Sequence, residues 1–257
     1  TVTNPGINWL IAKVTKGDEV EYDSVYVYVR GGVPVADLPA GVIPGINYNS
    51  DGSITLVLAD PPALKSYVYL LSDLNNYMPD EAYQMNRTSD GKFYWITLNN
   101  LPSNSEIGYQ YLIDGTLRIA DPYCEKILDP WNDSYISSSV YPDLKPYPQG
   151  KTSGIVSVFP VAKSEYQWQV TNFSPIAKEK LVIYELHIRD FVSTRAIKTV
   201  MDTLDYLQKL GVNAIELMPI NEFEGNDSWG YNPAFYFAAD KAYGTKNDYK
   251  AFIDECH

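Results

Sequence analysis

Residues 181–188 read LVIYELHI, and this stretch decides the fold of the second half of the chain. Its apolar residues run almost without interruption, which is typical of a parallel strand buried on both faces. Gly211 stands where a C-terminal helix cap is expected. Between the strand and this glycine lies an apolar stripe with helical spacing, made by Ile197, Val200, Leu204, Leu207 and Leu210. The sequence therefore predicts a strand followed by a helix.

The residues that follow continue this alternation. Residues 213–218 (NAIELM) predict a second strand that ends at Pro219, and a long loop is expected from Ile220 to Gly244. A second helix is predicted to begin at Thr245, with Asp248 completing a capping box. Its expected apolar stripe consists of Tyr249, Phe252, Ile253 and Cys256. Strand, helix, strand, loop and helix are typical of the opening of a parallel α/β domain.

Upstream of this region, short apolar segments alternate with turn signals, which favours an antiparallel β-sandwich. The predicted strands are residues 53–58, 66–71, 92–98, 108–113 and 117–120, the last two joined by a hairpin at Asp114-Gly115. Residues 9–14 and 24–30 predict a further hairpin around a turn at residues 16–18. Because a lone hairpin is marginal in water, this one is expected to complete a sandwich edge or to end an upstream domain.

Composition narrows the classes of partner. The formal net charge is −12, and such a surface repels nucleic-acid backbones and anionic lipid. Neutral ligands, sugars included, meet no such repulsion. No apolar run approaches the length of a membrane span. The two cysteines, Cys124 and Cys256, fit no metal-ligand spacing, and Cys256 is expected to be a buried free thiol.

Several motifs resemble one family in order and spacing. Residues 182–191 (VIYELHIRDF) are similar to the first barrel strand of the α-amylase superfamily, glycoside hydrolase family thirteen, and residues 214–220 (AIELMPI) to its second strand. Residues 228–237 (SWGYNPAFYF) and 242–245 (AYGT) resemble the loop that follows. The preceding sandwich resembles the N-terminal immunoglobulin-like module of these enzymes, with residues 121–123 and 128–131 similar to its end.

The resemblance implies a multidomain chain. Residues 1–40 are predicted to form a β-hairpin and a linker, and residues 41–175 an immunoglobulin-like β-sandwich. Residues 176–257 are predicted to hold the first two strand–helix units of a (β/α)₈ TIM barrel. A complete barrel takes about 250 residues, so this segment is expected to be the truncated start of one.

The family implies retaining cleavage or transfer at α-glucosidic bonds, with one carboxylate as nucleophile and a second carboxyl group as acid and base. In the family these groups lie on the fourth, fifth and seventh barrel strands, so no catalytic residue is assigned here and the chain itself is expected to be inactive. The alternative is a non-catalytic α-glucan-binding module or a structural scaffold. No cofactor and no metal site are predicted, although the resemblance allows calcium in the parent enzyme. It also favours a secreted or bacterial cell-envelope protein.

Three residues are predicted to contact the substrate, an α-glucan polysaccharide or oligosaccharide. Tyr231 matches the family's tyrosine that stacks on glucose at the cleavage position, and an aromatic face suits the C–H face of a sugar. Trp229 and Asn232 are its weaker companions, and packing within the loop is the alternative role of all three. In the sandwich, Tyr77 and Trp95 are weaker candidates, and a spacer role is preferred.

Charged residues on the two predicted barrel strands are interpreted as a structural network. Glu185, His187 and Arg189 alternate, so they are expected to share one face. Glu216 is predicted to pair across the strands with His187 or Arg189, because a buried unpaired charge is costly. A catalytic cluster of these groups is the less favoured alternative.

Overall fold

The computed structural model describes residues 2–163 and 165–257, which fall into two compact units. The first runs to Asp121 and includes Gly150–Val161, and the second contains Pro122–Gln149 and the residues from Ala162 onward. The units do not follow the predicted boundaries after residues 40 and 175. Thr1 and Ser164, which fall in the predicted domains 1–40 and 41–175, lie outside the described residues.

The predicted hairpin opens the first unit. Strands β1 (Gly6–Lys16) and β2 (Glu19–Val29) are antiparallel, with Lys16 opposite Glu19. Both strands are longer than predicted. The two-residue turn between them includes Gly17 at φ 62°, a left-handed conformation that glycine adopts without steric cost.

This hairpin carries large apolar side chains that are open to solvent. Trp9 is 56% exposed, and Ile11 and Val14 are each 66% exposed. Its base is anchored where Tyr28 packs edge-on against Tyr69, with ring centroids 5.2 Å apart. Within the described part of the unit, most of the hairpin surface therefore has no packing partner.

The double variant Ile11→Lys, Val14→Lys is expected to self-associate less than the parent chain, because exposed apolar strand surface promotes pairing between chains. The free energy of unfolding should change by no more than about 0.5 kcal/mol per site, since neither side chain is buried. Light scattering over a concentration series measures the association. Leu64→Lys, at a residue that is 74% exposed outside the hairpin, is the control. Equal association of the two proteins would contradict the prediction.

Two antiparallel sheets form the rest of the first unit. One has the order β3-β4-β7-β6, from Gly45–Tyr48, Ile54–Ala59, Phe93–Leu98 and Asn86–Arg87 respectively. In the other, β8 (Glu106–Ile113) pairs with β5 (Val68–Ser72), β9 (Leu117–Ile119) and β11 (Val156–Pro160). The five predicted strands are present. Strands β3 and β6 are short and β11 follows a long irregular stretch, so none of the three was predicted.

The two sheets share one apolar core, as in a β-sandwich. Buried side chains from both sheets meet in it, among them Leu56, Ile96, Leu70, Tyr111 and Phe159. Tyr109 and Tyr111 both donate hydrogen bonds to Asp121 Oδ2, at 2.8 and 3.0 Å. Tyr77 is fully buried, so its predicted minor role as a sugar contact is wrong. The indole of Trp95 is half-buried and donates to the carbonyl of Ala36 at 3.3 Å.

The second unit contains the short strand β10 (Ile127–Leu128) and, from residue 183 onward, the elements of the predicted α/β region. The latter are β12 (Ile183–Leu186), α1 (Ile188–Phe191), α2 (Ile197–Met201), α3 (Leu204–Lys209), β13 (Ala214–Leu217), β14 (Asn221–Phe223), β15 (Pro233–Ala239) and α4 (Lys246–Cys256). Strands β12 and β13 pair in parallel, with Leu186 beside Leu217. Both predicted strands are present, but β12 ends early because the chain turns into α1 after His187. The predicted burial of β12 on both faces is wrong, since only Leu186 of this strand is buried.

The first predicted helix is split into α2 and α3. The hydroxyl of Thr203 donates to the carbonyl of Val200 at 2.7 Å, and such back-bonding competes with the helical pattern. The break changes the helical phase, so Leu207 is buried while Leu210 is 59% exposed, contrary to prediction. Gly211 caps α3 as predicted, at φ 94°.

Two further expectations need correction. The predicted loop from Ile220 to Gly244 contains the antiparallel pair β14–β15. In α4 the capping box between Thr245 and Asp248 is confirmed, but Cys256 is exposed and Ile253 is 41% exposed, so these two residues of the predicted apolar stripe are not buried. None of the helices in the described ranges has the length and apolar character needed to cross a membrane.

Candidate functional site

The carboxyl ends of β12 and β13 define one edge of the second unit. His187 directly follows β12, and Met218-Pro219 follows β13. Because the strands are parallel, both chain segments leave the sheet at the same edge. In α/β folds ligands bind at this carboxyl edge, so it is the expected location of a functional site.

Gly230 fixes the loop between β14 and β15 against this edge. Its φ is 84°, and a Cβ atom added to it would lie 2.2 Å from the carbonyl oxygen of Pro219. Only glycine permits such a close approach to backbone. The missing side chain at Gly230 therefore allows the loop to lie against the backbone at the end of β13.

The three predicted substrate-contact residues lie on this loop. Trp229 is 62% exposed and Tyr231 is 65% exposed, on either side of Gly230. Asn232 is exposed too, and its Oδ1 accepts a hydrogen bond from Ser228. The two rings are not packed into a core, so their faces are accessible to a ligand. Sugar binding by these residues stays a prediction.

An ionic cluster lies beside the loop. The imidazole of His187 is buried, with Nε2 3.1 Å from the hydroxyl of Tyr243 and Nδ1 3.2 Å from Asp190 Oδ2. Arg189 Nε lies 2.9 Å from Asp190, whose pKa it lowers by hydrogen bonding. Asp227, two residues before Trp229, lies 2.8 Å from Arg195 and 3.8 Å from Arg189. The cluster therefore ties the β12 end to the β14–β15 loop.

The predicted pairing of Glu216 is wrong. Glu216 is exposed, and no charged side chain of the described residues lies within ion-pair distance of it. Its register partner on β12 is Glu185, also exposed. His187 and Arg189 are engaged elsewhere, because the chain turns into α1 and the expected alternation stops at Leu186. The face that bears the two glutamates is covered by no described element.

A second, buried network was not predicted. Lys241 is 3% exposed, and its Nζ lies 2.6 Å from Glu222 and 3.2 Å from Asp133. Asp240 is also buried, and its Oδ2 has no hydrogen-bond partner in the described structure. Lysine is rarely buried, so no local pattern indicates that this one is. Two carboxyl groups thus share one ammonium group, and a third is buried nearby.

The electrostatics of this network follow from burial. Burial raises the pKa of Asp240 to about 8, and repulsion from Glu222 adds to the shift. Burial also raises the pKa of Glu222, against the attraction of Lys241. Burial alone would lower the pKa of Lys241, but Glu222 and Asp133 raise it, so the ammonium stays charged. Among residues 2–163 and 165–257 no group of histidine, cysteine and acidic side chains is arranged to hold a metal ion.

Comparison with known proteins identifies the family. A family model described as the alpha-amylase catalytic domain matches residues 192–257, the segment that contains the exposed loop. This segment belongs to the α-amylase superfamily. A malto-oligosyltrehalose trehalohydrolase of Saccharolobus solfataricus is 30% identical over 175 residues, which cover 68% of this chain and 26% of the relative.

Two other members of the superfamily extend the comparison. A 1,4-alpha-glucan branching enzyme of Oceanobacillus iheyensis is 28% identical over 231 residues, or 82% of this chain and 31% of the relative. The Group B Streptococcus pullulanase SAP, solved in complex with maltotetraose, superposes with a TM-score of 0.59 at 24% identity. That match covers 84% of this chain and 31% of the pullulanase, and it supports the fold alone. The chain thus spans between a quarter and a third of the length of these relatives.

Proposed function

We propose that this chain is part of a longer α-glucan-active glycoside hydrolase, and that its second unit supplies one wall of the glucan-binding cleft. The observation that carries the proposal is the exposed pair Trp229 and Tyr231, held at the carboxyl edge of β13 by Gly230. Aromatic faces suit the C–H faces of sugars. The relatives support the substrate class, since their names refer to malto-oligosyltrehalose and 1,4-alpha-glucan.

The proposal extends to the fold, because such a cleft needs walls from several strands. We assign β12 and β13 with their helices to the start of a (β/α)₈ barrel, and the sandwich to an immunoglobulin-like module. The bond broken is α-glucosidic, and the mechanism is retaining, with its two carboxyl groups contributed by other parts of the barrel. No organic cofactor is needed for this chemistry. A secreted or cell-envelope location belongs to the same proposal.

The acidic residues of this chain do not replace those two groups. Glu185 and Glu216 are neighbours in register, and each lies one residue before the carboxyl end of its strand. Glu222 is buried and bound to Lys241. None of the three lies on the loop with Trp229 and Tyr231, and we assign the nucleophile and the acid to other parts of the barrel.

The proposal predicts that this chain releases no reducing sugar from soluble starch or pullulan, whereas a longer form with a complete barrel does. Reducing ends are measured for both proteins at equal molar concentration. Activity confined to the longer protein supports an α-glucan hydrolase with its chemistry outside these 257 residues.

Two other outcomes would contradict it. Hydrolysis by the 257-residue chain would require Glu185, Glu216 and Glu222 to be tested, each as the glutamine variant. If neither protein released reducing sugar, the result would favour a glucan-binding module or a scaffold. A shift of maltotetraose resonances on addition of the chain separates those two, because only the binding module should cause it.

A further inference from the structure

A second exposed aromatic surface lies on the turn that contains Trp131 and Tyr135. Trp131 is 64% exposed and Tyr135 is 81% exposed. Trp131 belongs to the segment 128–131 that resembles the end of the immunoglobulin-like module, and that resemblance assigns it no ligand contact. Burial of an aromatic ring is favourable in free energy. Large rings that remain exposed on an ordered turn are therefore typical of binding surfaces.

The turn is rigid. Asp129 Oδ1 accepts the backbone N–H groups of Trp131 and Asn132, at 2.8 and 3.2 Å. Asp129 Oδ2 accepts the side-chain amide of Asn132 at 2.8 Å, and Asp133 Oδ2 accepts the backbone N–H of Asp129 at 2.9 Å. The backbone around Trp131 is therefore fixed before any ligand arrives. Binding then costs little conformational entropy.

The same turn is joined to the loop with Trp229 and Tyr231. Asn226, three residues before Trp229, donates its side-chain amide to the carbonyl of Asn132 at 2.8 Å. The buried ion pair between Asp133 and Lys241 is a second link between the turn and the end of β15. Trp131 directly precedes Asn132, so the two exposed tryptophans belong to segments that are bonded to each other.

We infer that Trp131 is a second sugar-stacking residue that extends the glucan-binding surface of Trp229 and Tyr231, with Asn226 and Lys241 as positioning residues. The inference rests on the proposed function of that loop. The ligand class follows from the exposed ring, because a flat aromatic face suits the C–H face of a sugar. The net charge of −12 disfavours polyanions.

The test is ¹⁹F NMR of the full chain labelled with 5-fluorotryptophan. The five tryptophans give five resonances, which Trp→Phe variants assign. Maltotetraose is expected to shift the resonances of Trp131 and Trp229 and to leave those of Trp9 and Trp95 unchanged. Cellotetraose, with β-linkages, should shift none of them.

Variants separate the inference from the proposed function. Trp131→Ala is expected to weaken maltotetraose binding by about fivefold or more. Trp168→Ala, which removes another partly exposed tryptophan of the same unit, should not change it. Asn226→Ala should move the Trp131 resonance in the free protein without unfolding it, and Lys241→Arg should leave that resonance in place.

The outcomes are distinct. If maltotetraose shifts Trp229 and Trp131→Ala binds as tightly as the parent chain, the inference is wrong and the proposed function stands. If no tryptophan resonance responds to maltotetraose, both fail. A Trp131 resonance that changes with protein concentration but not with sugar would overturn the inference in favour of a protein contact.

Discussion

Lys241→Met is expected to lower the free energy of unfolding by about 3–5 kcal/mol, because removal of one partner leaves buried carboxyl groups without their counter-charge. Lys241 is 3% exposed, and its ammonium binds Glu222 and Asp133 at 2.6 and 3.2 Å. Methionine keeps most of the side-chain volume, so the change isolates the charge. Urea denaturation followed by circular dichroism measures the loss.

The effect should depend on pH. The pKa of Asp240 and the pKa of Glu222 are already raised by burial, and loss of the ammonium would raise both further. The folded variant then binds protons more tightly than the unfolded chain, so its stability falls as pH rises. The deficit relative to the parent chain is therefore expected to be larger near about pH 8 than near about pH 5.

Two controls accompany this variant. Lys241→Arg keeps the charge and should recover part of the stability. Lys246→Met removes a lysine that pairs with Glu125 but is about half exposed, and exposed pairs contribute at most about 1 kcal/mol. If Lys241→Met cost no more than Lys246→Met, the buried network would not hold the second unit together.

Gly230→Ala is expected to displace the loop that carries Trp229 and Tyr231. Alanine at φ 84° is strained, and its Cβ would lie 2.2 Å from the carbonyl oxygen of Pro219. Because that atom belongs to the backbone at the end of β13, the loop has to move. We expect a loss of unfolding free energy of about 1–3 kcal/mol, and a change of the Trp229 fluorine resonance in the labelled protein.

Gly225→Ala is the matched control. Gly225 lies in the same loop at φ 78°, but a Cβ there would meet only Asn132 Oδ1, at 3.9 Å. The two variants share the strain of the left-handed conformation and differ in the backbone clash. Similar losses of stability, with the Trp229 resonance unmoved in both, would show that contact with Pro219 does not position the loop.

Local signals predicted much of the architecture. The hairpin turn at Gly17, the capping box at Thr245 and Asp248, and the cap at Gly211 all depend on neighbouring residues, and each is present. The parallel strands were predicted from their nearly continuous apolar runs. The motif around Gly230 lies within residues 192–257, which the family model matches.

Burial and pairing between distant residues were decided only by the tertiary structure. Glu216 was expected inside a network and is exposed, whereas no local pattern predicted that Lys241 is buried and paired with Glu222 and Asp133. Asp133 lies more than a hundred residues from Lys241, so no local pattern relates them. The sequence by itself determined where strands, caps and the aromatic loop form, because those depend on backbone preference and short-range spacing. Only the packing of the chain decided which charges are buried and which segment lies beside the loop. The physical reason is that desolvation and ion pairing act between residues that only folding brings together.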